Sequence, residues 1–135
     1  AAGKAIKKTV LELGGSDPFI VMPSADLDAA VQTAVTARLM NNGQSCIAAK
    51  RFILHEAISA QFQAQLLAKF ESLNVGDPRL PETNIGPLAT AAIRDELAEQ
   101  VTNTIAQGAT ALIGGHAIAG VVLRQRRIGD VLAGL

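Results

Sequence analysis

"FIVMPSADLDAAVQTAVTARLMNNG", residues 19–43, decides the fold class because it joins an apolar segment of strand length to a helical one. Its first four residues indicate a short strand, and apolar residues then recur at helical spacing. Ser24 or Asp26 can accept hydrogen bonds from the free N–H groups of the first helical turn. Asn42 and Gly43 tolerate positive φ, so they predict the end of the helix.

The same alternation of strand and helix continues on both sides of this stretch. Apolar, β-branched runs predict strands at 8–13, 51–54 and 109–113. Apolar stripes predict helices at 58–73 and 93–105, and the Gly- and Pro-rich stretch 74–88 predicts a loop. Strands separated by helices of this length require crossover connections and a largely parallel sheet. The sequence therefore predicts an α/β fold, a parallel-type sheet with crossover helices.

Composition limits the classes of function. The chain has 135 residues, of which 49% are hydrophobic, enough for one domain with a core. Twelve basic and twelve acidic residues balance, which argues against a nucleic-acid partner. No apolar run approaches the length of a membrane span, so we expect no membrane partner. His55 and His116 have no ligand spacing, so we expect no metal.

Cys46 is the only cysteine, which excludes an internal disulfide and an intramolecular redox switch, and favours a reducing, cytoplasmic location. A free cysteine is usually a small buried hydrophobe, and no CxxC or neighbouring histidine marks this one as reactive. However, the polar residues 43–45 follow a helix end and predict a loop, where reactive groups tend to lie. The residues alone leave both interpretations open.

Glu12 lies between two leucines in the predicted strand 8–13. A half-buried position there would disfavour its charged form and suit a general base. Strand alternation would instead turn Glu12 to a solvated face, and the strand alone favours this second interpretation. Gly14 and Gly15 lack a phosphate-binding fingerprint and are interpreted as a tight turn. Lys50 and Arg51 are interpreted as a solvated pair at the start of a strand.

Together, "LELGGSDPFIV" (11–21) and "NNGQSCIAAKR" (41–51) resemble the aldehyde dehydrogenase superfamily. The first is similar to its Glu-Leu-Gly-Gly signature and the second to its Gly-Gln-x-Cys signature, with Glu12 and Cys46 thirty-four positions apart. "GDP" (76–78) and "IGPL" (85–88) resemble further landmarks. The residues of these two stretches are most similar to the bacterial succinate-semialdehyde dehydrogenase branch of that superfamily.

The resemblance implies oxidation of a small-molecule aldehyde, succinate semialdehyde in that branch, with NAD or NADP as the cofactor. Cys46 would be the nucleophile that forms a thiohemiacetal and then a thioester, and Glu12 would activate the hydrolytic water. The Cys46 backbone N–H and an Asn amide would bind the oxyanion. Leu13 and Gly14 would lie where the nicotinamide packs, and Asn41 and Gln44 would shape the cysteine loop.

The resemblance also implies a division of the chain. Residues 1–13 correspond to the end of the cofactor-binding domain and a link, and residues 14–120 to a partial aldehyde dehydrogenase catalytic domain. Residues 121–135 diverge, and a frameshift or truncation near Gly120 would account for this. Full-length members would form homo-oligomers. We expect this chain alone to oxidise no aldehyde, because hydride transfer requires a cofactor held in line with the substrate. The alternative is a non-catalytic α/β module that keeps the fold for binding or assembly.

Overall fold

A computed structural model describes residues 1–115 together with 117–118, 125–126 and 132–133. A 3₁₀ turn lies at Gly3–Ala5, and Met40–Gly43 forms a second short turn whose backbone is left-handed at Asn41 and Asn42. The strands and helices are, in chain order, β1 (Pro18–Val21), α1 (Leu27–Leu39), β2 (Arg51–Leu54), α2 (Glu56–Glu71), α3 (Ala91–Ala106), β3 (Thr110–Ala111), β4 (Ala117–Ile118), β5 (Gln125–Arg126) and β6 (Leu132–Ala133).

The organising unit is a pair of parallel strands joined through a helix. β1 and β2 pair in parallel, with Pro18 opposite Arg51 and Val21 opposite Leu54. Two strands that run in the same direction need a crossover connection, and α1 supplies it. The prediction of an α/β fold with a parallel sheet and crossover helices is confirmed.

The main core lies between this sheet and the helices α1 and α2. Phe62 is fully buried, and its ring lies 6.3 Å from that of Phe52 on β2. The buried members of the cluster recur three or four positions apart along each helix, as an apolar face requires. They are Val21, Val31, Ala34, Val35, Phe62, Leu66 and Phe70. On the strands, Ile20 and Ile53 alternate away from this core and are 60% and 49% exposed.

Short polar side chains fix where the helices begin. The Asp26 carboxylate accepts a hydrogen bond from the Ala29 N–H at 3.0 Å, so Asp26 and not Ser24 caps α1. The Thr90 hydroxyl likewise accepts from the Ile93 N–H at the start of α3. These caps satisfy backbone donors that have no partner within the helix.

Two predicted strands differ from the structure. Residues 8–13 form no strand and are exposed to solvent, because no strand among the described residues runs beside them and a strand forms only where its backbone groups are paired. The predicted strand 109–113 is reduced to β3, which pairs antiparallel with β6 instead of joining the parallel sheet. The sheet of β1 and β2 is therefore smaller than the sequence suggested.

Residues 74–88 form the predicted loop, which folds back on itself. Val75 and Ile85 make an isolated parallel bridge, and Ile85 and Leu88 form a second small buried cluster. At the tip, the Arg79 guanidinium donates hydrogen bonds to both carboxylate oxygens of Asp77. This contact with Arg79 lowers the pKa of Asp77 to about 2.

We expect Phe62→Ala to lower the free energy of unfolding by about 3–5 kcal/mol, because it removes a fully buried ring and leaves a cavity. Urea denaturation of the chain measures this change. Ile53→Ala, at a half-exposed position, is the matched control and should cost about 1 kcal/mol or less. Equal effects of the two substitutions would contradict the placement of the core.

We expect the Asp77 carboxyl to titrate with a midpoint near pH 2 in the folded chain. Because the folded pKa lies below the ordinary value of 3.8, this contact stabilises the fold above that pH, and the contribution is lost as the pH falls through about 2. NMR titration of the side-chain carboxyl carbon measures the midpoint. Arg79→Met should return the midpoint towards 3.8, and an unchanged midpoint would contradict the assigned cause.

Candidate active site

An open cavity of about 610 Å³ lies between three parts of the chain. They are the segment before β1, the loop from α1 to β2 (residues 40–50, here the cysteine loop), and the first part of α3. Arg38 of α1 and Leu88 of the 74–88 loop complete the lining. Glu12, Leu13, Gly14 and Cys46, the four site residues predicted from the sequence, all line this cavity. The fold thus brings together residues that are thirty-four positions apart in the sequence.

The cysteine loop reverses direction immediately after α1. Asn41, Asn42 and Gly43 all have positive φ, at 50°, 55° and 73°. Left-handed backbone is costly for most residues but tolerated by asparagine and glycine, so this Asn-Asn-Gly run suits the turn. The chain then exposes Cys46 and buries Ala48, as the prediction of a loop position for the thiol required.

Two amide side chains attach the cysteine loop to the end of the 74–88 loop. The Asn42 Oδ1 accepts a hydrogen bond from the Gly86 N–H at 3.2 Å, and the Gln44 Oε1 accepts one from the Ala89 N–H at 2.9 Å. A Cβ on Gly86 would lie 3.3 Å from the Asn42 amide nitrogen and 3.4 Å from Pro78, so a side chain there would crowd this contact. The resemblance implied a shaping role for Gln44, whereas the contribution of Asn42 emerges only in the structure.

The Glu12 segment differs from the half-buried strand that was predicted. Glu12 is exposed, and Val10, Leu11 and Leu13 are exposed as well, so neither face of this segment is covered. Leu13 exposes 76% of its surface, and a Cβ on Gly14 would meet no atom within 4 Å. The cavity is therefore open and apolar beside these two residues.

Lys50 and Arg51 are exposed, as predicted, but they are not simply solvated. The Lys50 ammonium donates a hydrogen bond to the Gly15 carbonyl at 2.5 Å. The Arg51 guanidinium donates two hydrogen bonds to the Ser16 carbonyl, at 2.9 and 2.6 Å. Sequence reasoning missed these contacts because the acceptors are backbone atoms thirty-five positions away.

The third wall of the cavity comes from α3. Ile93 and Leu97 supply apolar surface, and Glu96 and Gln100 supply polar groups. The stripe of Ile93 and Leu97 was visible in the sequence, but it was interpreted only as evidence for a helix. Within residues 1–115, no three His, Cys, Asp or Glu side chains form a group that could hold a metal ion. In the described part of the chain, every helix is too short or too polar to cross a membrane.

We expect Asn42→Ala and Gln44→Ala to act on different amides. Asn42→Ala should accelerate hydrogen exchange at Gly86, and Gln44→Ala should do so at Ala89, because each substitution removes that amide's acceptor. A net loss of about 1 kcal/mol per bond corresponds to an acceleration of about fivefold. NMR exchange rates measure both sites in each variant. Equal acceleration at both amides in both variants would instead indicate general loosening of the loop.

Comparison with known proteins gives a consistent result. The aldehyde dehydrogenase family model matches residues 1–125. A succinate-semialdehyde dehydrogenase [NADP(+)] of Mycobacterium avium is 61% identical over 119 residues, which cover 88% of this chain and 25% of that protein.

Solved structures agree. The succinate-semialdehyde dehydrogenase of Burkholderia pseudomallei superimposes with a TM-score of 0.82 at 37% identity, covering 87% of this chain and 24% of that one. PnpE in complex with nicotinamide adenine dinucleotide gives 0.83 at 40% identity, covering 90% and 25%. The chain thus spans about a quarter of the length of the curated relatives it matches. It belongs to the aldehyde dehydrogenase family.

Proposed function

We propose that this chain supplies the nucleophile and the general base for NAD(P)-dependent oxidation of an aldehyde, succinate semialdehyde, to the carboxylic acid. The observation that carries the proposal is that Glu12 and Cys46 line one cavity. The mycobacterial relatives named for this substrate and for NADP(+) support the choice of substrate and cofactor. Because the chain spans a quarter of such relatives, the complete reaction is proposed for the whole protein.

The first step is attack of the Cys46 sulfur on the aldehyde carbon. With Cys46 as the thiolate, a carbon–sulfur bond forms as the carbonyl π bond breaks, and negative charge develops on the aldehyde oxygen. The Cys46 backbone N–H donates to no group among the described residues, so it is available to that oxygen. Exposure of Cys46 at the turn leaves the sulfur accessible to a substrate.

Leu13 and Gly14 fit the nicotinamide end of the cofactor. An exposed apolar side chain beside a backbone position without a Cβ offers flat contact area for a ring, and the space over Gly14 is open. The bound cofactor would accept the hydride that leaves the aldehyde carbon. The residues of this chain contribute orientation, which places that carbon against the ring while it remains bonded to Cys46.

The last step is hydrolysis of the resulting thioester at Cys46. The Glu12 carboxylate takes a proton from a water molecule, whose oxygen attacks the thioester carbon. The carbon–sulfur bond then breaks, which releases the carboxylic acid and returns the Cys46 sulfur for protonation. An exposed carboxylate that lines the same cavity as the thiol can meet water there.

The proposal includes the division into residues 1–13, 14–120 and 121–135, a cytoplasmic location and homo-oligomerisation of the whole protein. Residues 1–13 lack a regular element apart from the turn Gly3–Ala5, which fits a link between domains. Most of residues 121–135 lie outside the described residues.

We expect Cys46 to be acylated by p-nitrophenyl acetate in the absence of cofactor and then to be deacylated with the help of Glu12. Glu12→Gln should leave adduct formation unchanged and slow its hydrolysis by about 100-fold, the lower range for a general base. Intact-mass spectrometry follows the adduct over time, and Cys46→Ala is the control for its location. The non-catalytic module is favoured instead if the adduct lifetime is the same with and without the Glu12 carboxylate.

A further inference from the structure

The segment that bears Glu12 has little to hold it in place. Residues 7–15 are exposed and belong to no helix or strand. The chain enters a paired element only at Pro18, six positions after Glu12. An exposed segment without a ladder of backbone hydrogen bonds opens at low free-energy cost. Something else must therefore keep Glu12 beside the cavity.

Lys50 and Arg51 provide the contacts that do so. They lie four and five positions after Cys46, and they donate three hydrogen bonds to the carbonyl groups of Gly15 and Ser16. Those acceptors in turn lie three and four positions after Glu12. Each bond therefore joins a residue next to the thiol to one next to the carboxylate. We call this set of three bonds the Lys50–Arg51 tether.

The donors are charged, and their acceptors are backbone atoms. Charge-assisted hydrogen bonds are stronger than neutral ones, and the two Arg51 bonds converge on one carbonyl oxygen, which restricts its direction. A Cβ on Gly15 would lie 3.9 Å from the Cys46 carbonyl oxygen, so a side chain added at Gly15 would just contact the backbone of the cysteine loop. The tether thus acts where the two segments lie near each other.

We propose that Lys50 and Arg51 are positioning residues that set the separation between the Glu12 carboxylate and the Cys46 thiol. They act through the Gly15 and Ser16 carbonyl groups and take no part in bond making or breaking. The consequence for catalysis rests on the function proposed above, whereas the separation itself can be measured without any reaction.

The separation is measured by placing a thiol at position 12. In a Glu12→Cys variant, oxidised glutathione converts the introduced thiol and Cys46 to a disulfide and is itself reduced. The equilibrium in a buffer of reduced and oxidised glutathione gives the effective concentration of the two thiols. Adding Lys50→Met and Arg51→Met should lower this concentration by about tenfold, because a flexible segment samples a larger volume. Lys69→Met, which removes an exposed charge of α2 outside the cavity lining, is the matched control and should have no effect.

Amide exchange in α1 and α2 reports whether the core stays folded in each variant. If the double substitution lowers core protection, Arg51→Met alone is used, since it removes two of the three bonds. Less than a twofold change in effective concentration with an intact core overturns the proposal. Arg51→Lys keeps one charged donor and should give an intermediate value.

The acylation assay then separates this inference from the proposed function. In the chain with Glu12 intact, Lys50→Met with Arg51→Met should prolong the Cys46 adduct without slowing its formation, as Glu12→Gln does. If the effective concentration falls but Glu12→Gln leaves the adduct lifetime unchanged, the tether stands and the proposed function is wrong. If Glu12→Gln prolongs the adduct and the tether substitutions change neither quantity, the tether is wrong and the function stands.

Discussion

The parallel pairing of β1 with β2 is the constraint on which the site depends. Parallel strands begin at the same end of a sheet, and here the first residues of the two strands, Pro18 and Arg51, lie directly opposite each other. Glu12 is six positions before the first of these residues and Cys46 five positions before the second. An antiparallel pair would send the two segments to opposite ends of the sheet. The crossover through α1 thus brings Glu12 and Cys46, which are far apart in the sequence, to the same cavity.

The Lys50–Arg51 tether continues the contact between the two segments beyond the end of the ladder at which the strands begin. The backbone ladder of β1 and β2 begins at Pro18 and Arg51. Before that point, side chains of the second segment donate hydrogen bonds to backbone carbonyl groups of the first, from Lys50 to Gly15 and from Arg51 to Ser16. Elsewhere in the cysteine loop, the Asn42 side-chain oxygen likewise bonds to a distant backbone group, the Gly86 N–H. Side chains bonded to backbone atoms therefore hold the irregular segments where strands do not reach.

Local rules account for much of what the sequence predicted. The Asp26 cap, the buried face that includes Phe62 and the positive φ at Asn42 each depend on residues within a few positions, and each is present in the structure. The strand predicted at 8–13 was wrong because its apolar, β-branched residues specify a preference, while a strand also needs a partner from elsewhere in the chain.

The candidate site likewise combines features that the sequence could predict with features that only the folded chain specifies. Leu13 was singled out by resemblance to family signatures and not by any local rule, since neither its spacing nor its neighbours point to a cofactor. The contact between Lys50 and the Gly15 carbonyl could not be predicted because it follows from strand register, which is a property of the folded chain.

Chemistry and stability also lie in different parts of this chain. Cys46 and Glu12 are exposed at the edge of the sheet, whereas Phe62 and Val31 are fully buried beneath it. Substitution of exposed side chains without structural partners changes stability little, while loss of buried apolar groups changes it greatly. Variants at the first pair therefore report on reactivity in an intact fold. Lys50 lies between these extremes, because it is exposed but bonded to a distant segment, and this is why its effect must be measured as a change in geometry instead of a change in stability.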